Sequence, residues 1–276
     1  MWVRKANGER EKFQPEKIRR TCLRAGASLD LAEEVVKKVE KVSYNNISTR
    51  KILKLILRYL KREEPVTATR YSLKSAIMDL GPTGFAFEKL VKEIFRVYGY
   101  KAKLPEIIQG ACVSHEVDVI AEKEDCLMIE CKYHNQPGIY SGIKDVLYTY
   151  ARFLDLKEGF QKGRNQFDFD KAVLVCNTRF SKEAKEYAQC RGIKLISWKY
   201  PHKESIRELL EKKSLYPITI LGSINRKVKK KLAKNNLIFC RDLLKISHRQ
   251  LQKITGLNKQ SLEELSTEIK GLLRKN

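Results

Sequence analysis

The feature that most limits the fold is a break at Gly81-Pro82-Thr83-Gly84, where a mostly helical pattern of apolar residues gives way to helices alternating with strands. At 276 residues the chain is longer than one compact core usually organises, and the break divides it. Ahead of it, a short opening strand and a turn at Asn7-Gly8 lead into helices. Pro15 to Ala25 has proline in its first turn with Glu16 beside it, and Ile18, Cys22 and Leu23 recur at helical spacing. Leu31 to Val42 and Thr49 to Leu60 repeat the pattern.

Behind the break, Phe87, Leu90, Val91, Ile94 and Phe95 make an apolar stripe on a helix that ends at Gly99. Val117-Asp118-Val119-Ile120 and Cys126 to Cys131 are apolar enough for strands, with a charged turn from Glu122 to Asp125 between them. Further buried strands are expected at Ala172 to Cys176 and Ile193 to Trp198, with a helix over Lys182 to Gln189. Helices alternating with strands predict an α/β core with a mixed sheet. From Tyr216-Pro217 onward the pattern is helical only.

Composition says what this chain can meet. Its formal net charge is +23, from 56 Lys and Arg against 33 Asp and Glu, and such an excess repels itself unless it meets a polyanion such as nucleic acid. The last segment is the most basic, with about 14 Lys and Arg against about 4 Asp and Glu. A hydrophobic content of 42% supplies real cores and argues against disorder. No apolar run approaches the roughly 20 residues of a membrane span, and Met1 to Lys5 has no apolar signal core, so a cytoplasmic protein without a membrane partner is expected. The seven cysteines are scattered without Cys-x-x-Cys, which points to reduced, mostly buried thiols and to neither a disulfide framework nor a zinc site.

Hydrolysis of a phosphodiester needs a metal to neutralise phosphoryl oxygens, a polarised water and a nearby cation. Asp118 lies in one expected strand, and Glu130-Cys131-Lys132 ends the next. Side chains alternate along a strand, so Glu130 and Lys132 share a face while Cys131 points away, and a hairpin would bring Asp118 beside Glu130. Glu-x-Lys also occurs at Glu183, Glu211 and Glu268, but within helical patterns, where it is ordinarily a solvated face. Charged residues that close Leu127-Met128-Ile129 are costly unless a metal or an ion pair compensates them.

Gly84-Phe85-Ala86-Phe87-Glu88, Gly99-Tyr100, His115-Glu116-Val117-Asp118 and Ile129-Glu130-Cys131-Lys132 together resemble the catalytic domain of Mrr-type restriction endonucleases, within the PD-(D/E)xK superfamily. The resemblance implies a deoxyribonuclease of restriction type, a hydrolase of phosphodiester bonds. It implies that Asp118, Glu130 and the backbone carbonyl of Cys131 bind Mg2+, that Lys132 orients or deprotonates the attacking water, and that Glu88 is an additional acidic position. Many members have Gln where this chain has Glu130. His115, Glu116, Tyr133 and His134 flank the site as candidates for supporting or DNA contacts.

Trp2 to Ile18, with Val3, Lys5, Gly8, Glu11, Gln14 and Lys17 at fixed intervals, resembles the ATP-cone, the regulatory nucleotide-binding module of ribonucleotide reductases and their repressors. The resemblance implies that Lys5, Lys17 and Arg70 or Lys74 take the phosphates of ATP or dATP, with Glu11, Gln14 and Ser48 near the nucleoside. The family's Arg-Asp pair is Ala6-Asn7 here. Without a Gly-x4-Gly-Lys-Ser/Thr loop, ATP would regulate and not fuel. Arg241 to Leu265 looks like a helix-hairpin-helix unit similar to the carboxy-terminal domain of the RNA polymerase α subunit, in which Gly256, Asn258 and Lys259 would hold a DNA phosphate.

The chain is thus expected to be a multi-domain α/β protein. It comprises a mostly helical ATP-cone over 1–80, a linker over 81–84, a restriction-endonuclease-like core over 85–213, and a small all-α domain over 216–276. The expected function is Mg2+-dependent cleavage of double-stranded or branched DNA in restriction, defence or repair, under control of ATP or dATP. Two-strand cleavage with one site per chain would call for a homodimer. The competing expectation is a nucleotide-sensing, DNA-binding regulator without cleavage activity, for which the complete set of Asp118, Glu130 and Lys132 has no use.

Overall fold

The computed structural model describes residues 1–81, 84–104 and 106–274, so Pro82 and Thr83 of the expected linker lie outside the described residues. The chain forms two compact units, one made of Met1–Asp79 together with Tyr216–Asn276, the other of Leu80–Leu215.

The first unit opens with β1 (Trp2–Arg4) and β2 (Arg10–Lys12), an antiparallel hairpin in which Val3 faces Glu11. Helix α1 (Pro15–Ala25) starts on Pro15 and stops at Gly26, whose φ of 103° is the left-handed conformation that glycine adopts without a Cβ penalty. Its buried residues are Ile18, Cys22 and Ala25, whereas Leu23, expected on that stripe, is exposed. Helix α2 (Leu29–Val42) is capped by Ser28. Strand β3 (Ile47–Ser48), absent from the sequence expectation, pairs parallel with β1 and leads into α3 (Thr49–Glu63). Short helices α4 (Pro65–Tyr71) and α5 (Leu73–Met78) follow. Cys22, Val35, Val39, Ile56 and Leu60 are buried together beneath the small sheet.

The second unit begins with α6 (Phe85–Val97), whose five expected core residues are all buried. Then come β4 (Lys101–Lys103), the hairpin β5 (Glu106–Gln109) and β6 (Ser114–Val117), and β7 (Val119–Glu122) with β8 (Cys126–Lys132). Helix α7 (Ile143–Gln161), β9 (Lys171–Cys176), α8 (Lys182–Cys190), β10 (Lys194–Ser197) and α9 (Ile206–Lys212) complete it. The five-stranded sheet runs β10-β9-β8-β7-β4, with β8, β9 and β10 parallel and β7 and β4 antiparallel to their neighbours, which makes it mixed as expected. The β5–β6 hairpin is a separate two-stranded sheet. The expected strand across Val117-Asp118-Val119-Ile120 is therefore two strands in two sheets, and Asp118 sits at the crossing.

Two glycines let the hairpin lie on α7. A Cβ on Gly159 would stand 2.7 Å from the Gly110 carbonyl carbon, and one on Gly110 would stand 2.0 Å from Asp155 Oδ2. In the space they leave, Asp155 Oδ1 accepts the Cys112 N–H at 2.8 Å and Oδ2 faces His115 Nε2 at 2.8 Å, while Asn165 Nδ2 donates to the Gln109 carbonyl at 2.8 Å. Burial opposes ionisation of Asp155, but the hydrogen bonds from His115 and Cys112 outweigh it and lower its carboxyl to about 2.

The last segment returns to the first unit as a 3-10 turn at Ile218–Ile220 and helices α10 (Arg226–Lys234), α11 (Cys240–Leu243), α12 (His248–Thr255) and α13 (Lys259–Leu273). Within the unit, Thr219 Oγ1 donates to the Ala76 carbonyl at 2.7 Å, and a Cβ on Gly271 would stand 2.9 Å from Val66. Glu268 takes the Gly222 and Ser223 N–H groups at 2.8 and 3.0 Å, so this Glu-x-Lys pins a loop where a solvated face was expected. The cysteines also depart from expectation: only Cys22, Cys176 and Cys240 are buried, and Cys112 and Cys190 are exposed. Among the described residues no helix is long and apolar enough to cross a membrane.

Candidate active site

Strand β8 lies at the centre of its sheet, between β7 and β9, and carries Glu130 and Lys132 on one face. Glu130 is 5% exposed, and such a carboxylate is tolerated only when paired. Lys132 Nζ stands 2.9 Å from its Oε1, and Arg152 Nη1, from α7, stands 2.6 Å from its Oε2. Asp118 comes alongside from the β6–β7 crossing, where the Cys131 N–H donates to its Oδ2 at 2.7 Å. The crossing thus turns a residue of the hairpin connection toward the middle of the main sheet.

Electrostatics at this cluster are strained. Burial, then the neighbouring Glu130 carboxylate, push the Asp118 carboxyl up to about 7 against the hydrogen bond from Cys131. Glu88, on the first turn of α6, is raised by burial and by Glu116 and Glu130. Burial would lower the Lys132 ammonium, but its hydrogen bond and charge pairing with Glu130 outweigh that and raise it, so Lys132 is a cation at neutral pH. The three acids and the lysine that the sequence singled out are therefore in one electrostatic neighbourhood.

The flanking candidates have structural partners. The Tyr133 ring packs tilted on Phe87 at 5.7 Å. His134 is held by Asn177 through its backbone N–H, and its Nε2 lies 3.0 Å from Ser141 Oγ, with burial lowering its pKa. His115 faces Asp155, and the Glu116 carbonyl accepts from Arg152 at 2.8 Å. Arg152 was missed from the sequence because it is one of 56 Lys and Arg and lies 20 residues past the motif, on a helix that gives no local sign of its target.

In the first unit, Lys5, just past β1, and Lys17, on α1, both pair with Glu11 of β2, at 2.7 Å for Lys5, and hydrogen bonds from Lys17 and Lys5 lower the Glu11 carboxyl against the effect of burial. Val3 is buried under this hairpin, and Gly8 takes a φ of 86° at its tip. Gln14 precedes α1 without a side-chain cap bond, and Ser48 Oγ caps α3 by accepting from the Lys51 N–H. Lys74 is exposed on α5. Arg70 Nη2 donates to the Leu272 carbonyl at 3.3 Å and to that of Arg274, at the end of α13. At the other end of this unit's tail, Gly256 closes α12 with a φ of 76°, Asn258 caps α13 by accepting from the Ser261 N–H, and Lys259 is exposed.

Comparison with known proteins gives three successive family matches: the ATP cone domain over residues 1–79, a restriction endonuclease domain over 82–199, and the AF1548-like C-terminal domain over 216–273. An uncharacterized protein of Archaeoglobus fulgidus is 44% identical over 177 residues, which is 64% of this chain and 95% of that relative. The crystal structure of a protein of unknown function, AF1548, is 42% identical with a TM-score of 0.56, covering 68% of this chain and 97% of that one. The MspJI restriction endonuclease, solved with a 27-mer oligonucleotide, is 13% identical with a TM-score of 0.34, too slight a likeness to bear on function. The chain belongs to the AF1548-like family, and it carries in order an ATP cone, a restriction endonuclease domain and the AF1548-like C-terminal domain.

Proposed function

We propose that this protein is a Mg2+-dependent DNA endonuclease whose cleavage is regulated by ATP or dATP bound at the ATP cone. The observation that carries the reading is the meeting of Asp118, Glu130 and Lys132 at the centre of the sheet of the restriction endonuclease domain.

The donor set fits the metal. Mg2+ is ordinarily held by one or two carboxylates, with water and substrate phosphate completing the shell. Asp118, Glu130 and the Cys131 carbonyl are hard oxygen donors, and the lifted Asp118 carboxyl marks a crowded, desolvated pair that a divalent cation would relieve. Among the described residues no three His, Cys, Asp or Glu side chains gather into a metal cage. Bound there, the cation would neutralise phosphoryl oxygens and acidify a water.

The chain's own residues do the rest. Lys132, protonated and fixed on Glu130, orients the attacking water and balances charge as the pentacoordinate phosphorus forms. Removing its proton would work against the Glu130 carboxylate, so orientation is its role and deprotonation is not. Glu88 adds an acidic neighbour from α6, and Tyr133 and His134, which follow Lys132 in the chain, supply contacts to DNA. The Lys5–Glu11–Lys17 cluster is the phosphate-facing part of the nucleotide site, where a polyphosphate would compete with Glu11 for both ammonium groups. Gly256, Asn258 and Lys259, on the basic tail, add sequence-independent contacts to DNA phosphates that weaken with salt.

The test is cleavage of plasmid, methylated and branched DNA with Mg2+, with and without ATP or dATP, by the native chain and by Asp118→Ala and Lys132→Ala. Cleavage that both substitutions reduce by at least 100-fold is expected, on the scale of about 2.7–4 kcal/mol for a group acting on the transition state. DNA binding without cleavage in every condition would replace this reading with that of a regulator.

A further inference from the structure

Arg152 stands outside the motif and is held through both terminal nitrogens of its guanidinium, while its buried Nε has no hydrogen-bond partner among the described residues. Its Nη1 donates to Glu130 Oε2 at 2.6 Å and to the Glu116 carbonyl at 2.8 Å. Its Nη2 donates to Tyr148 Oη at 2.8 Å, one turn earlier on α7, and the group stacks 4.6 Å from the centre of the Tyr148 ring. The Arg152 side chain is 12% exposed, yet Tyr148 itself is 54% exposed. An exposed tyrosine is thus spent on holding one arginine against one carboxylate.

We propose that Arg152 is a positioning residue whose guanidinium fills the place of a second metal ion beside Glu130, so that the site loads one divalent cation and not two. This rests on the cleavage reading given above. In two-metal centres a carboxylate is shared by ions about 3.5–4 Å apart. Glu130, the carboxylate on the central strand, already has a cation on each oxygen, Lys132 on Oε1 and Arg152 on Oε2. The hydrogen bonds of Arg152 to the Glu116 carbonyl and Tyr148, and its stacking on the Tyr148 ring, keep it from swinging away.

Arg152 also fixes the rotamer of Glu130, so that this carboxylate meets the incoming ion in one orientation.

The experiment is calorimetric titration of the full chain with Mn2+ in the absence of DNA, counting the sites that Asp118→Ala loses. One ion is expected in the native chain and in Arg152→Lys, and two in Arg152→Gln, whose cleavage should fall by about 10- to 100-fold while Arg152→Lys recovers part of it. Arg152 acting only as a structural tie would change melting temperature without changing the count. Two ions in the native chain, or a single ion kept by Arg152→Gln, overturns the proposal, and the native count decides it even where Arg152→Gln does not fold. A native chain that binds one ion and cuts no DNA overturns the cleavage reading alone, whereas cleavage with two ions overturns only the role of Arg152.

Discussion

Replacing Asp155 by asparagine removes a charge that anchors the β5–β6 hairpin to α7 and leaves its shape almost unchanged. The carboxylate accepts from the Cys112 N–H at 2.8 Å and the Val113 N–H at 3.4 Å, and meets His115 at 2.8 Å. Asparagine keeps one acceptor and turns an amide toward the other donors. A carboxyl held at about 2 in the folded chain, against about 3.9 unfolded, contributes about 2.6 kcal/mol at neutral pH by linkage, and solvent screening reduces that to about 1–2 kcal/mol. The sign follows from a depressed folded-state value: the contribution is complete above about pH 4 and is lost as pH falls toward 2. Urea unfolding followed by Trp198 emission in a Trp2→Phe background reports the second unit, because Trp198 is buried there. Asp155→Asn should be less stable at pH 7 and pH 5 by the same amount, with the gap roughly halved at pH 3 and closing only below about pH 2. Equal stability at pH 7, or a gap that persists unchanged at pH 3, would falsify the assignment of the anchor to this carboxylate. Because β6 runs directly into Asp118, the same variant should cleave more slowly.

Two further substitutions test close contacts. Gly159→Ala places a methyl 2.7 Å from the Gly110 carbonyl carbon and 2.8 Å from the Gln109 oxygen, so the hairpin must shift, at about 1–3 kcal/mol measured by the same unfolding curve. An unchanged curve would mean that the hairpin yields without resistance. Glu268→Ala leaves the Gly222 and Ser223 N–H groups without their carboxylate and should lower the stability of the first unit by about 1 kcal/mol in thermal circular dichroism. A melting temperature equal to that of the native chain would show water to be an adequate substitute.

Helices α1, α2, α3, α6 and α8 were legible because their apolar residues recur at helical spacing, as in α6 with Phe87, Leu90, Val91, Ile94 and Phe95. Strand β8 was legible as an apolar run with charges at its end. The β5–β6 hairpin was not, since Glu106–Gln109 and Ser114–Val117 are short, half polar and mostly exposed, and strand periodicity fails over such lengths. The crossing at Asp118 was hidden by the apolar residues on either side, which read as one strand although they belong to two sheets. Edge strand β4, Lys-Ala-Lys, has a composition that protects an edge and conceals a strand. At the site, the motif residues were visible through spacing alone. Arg152 and Asp155 were not, because their partners lie 22 and 40 residues away and only the folded chain brings them together.

The return of residues 216–276 to the unit of residues 1–79 fixes an order of assembly during synthesis. Residues 80–215 can close their own sheet as soon as they leave the ribosome, while the amino-terminal helices, made first, must wait for Thr219 and then for the end of α13 before Ala76 and Arg70 find their partners. The segment made first is therefore finished last, and through that interval its unmet surface is the part of the nascent chain most open to chaperones and proteases.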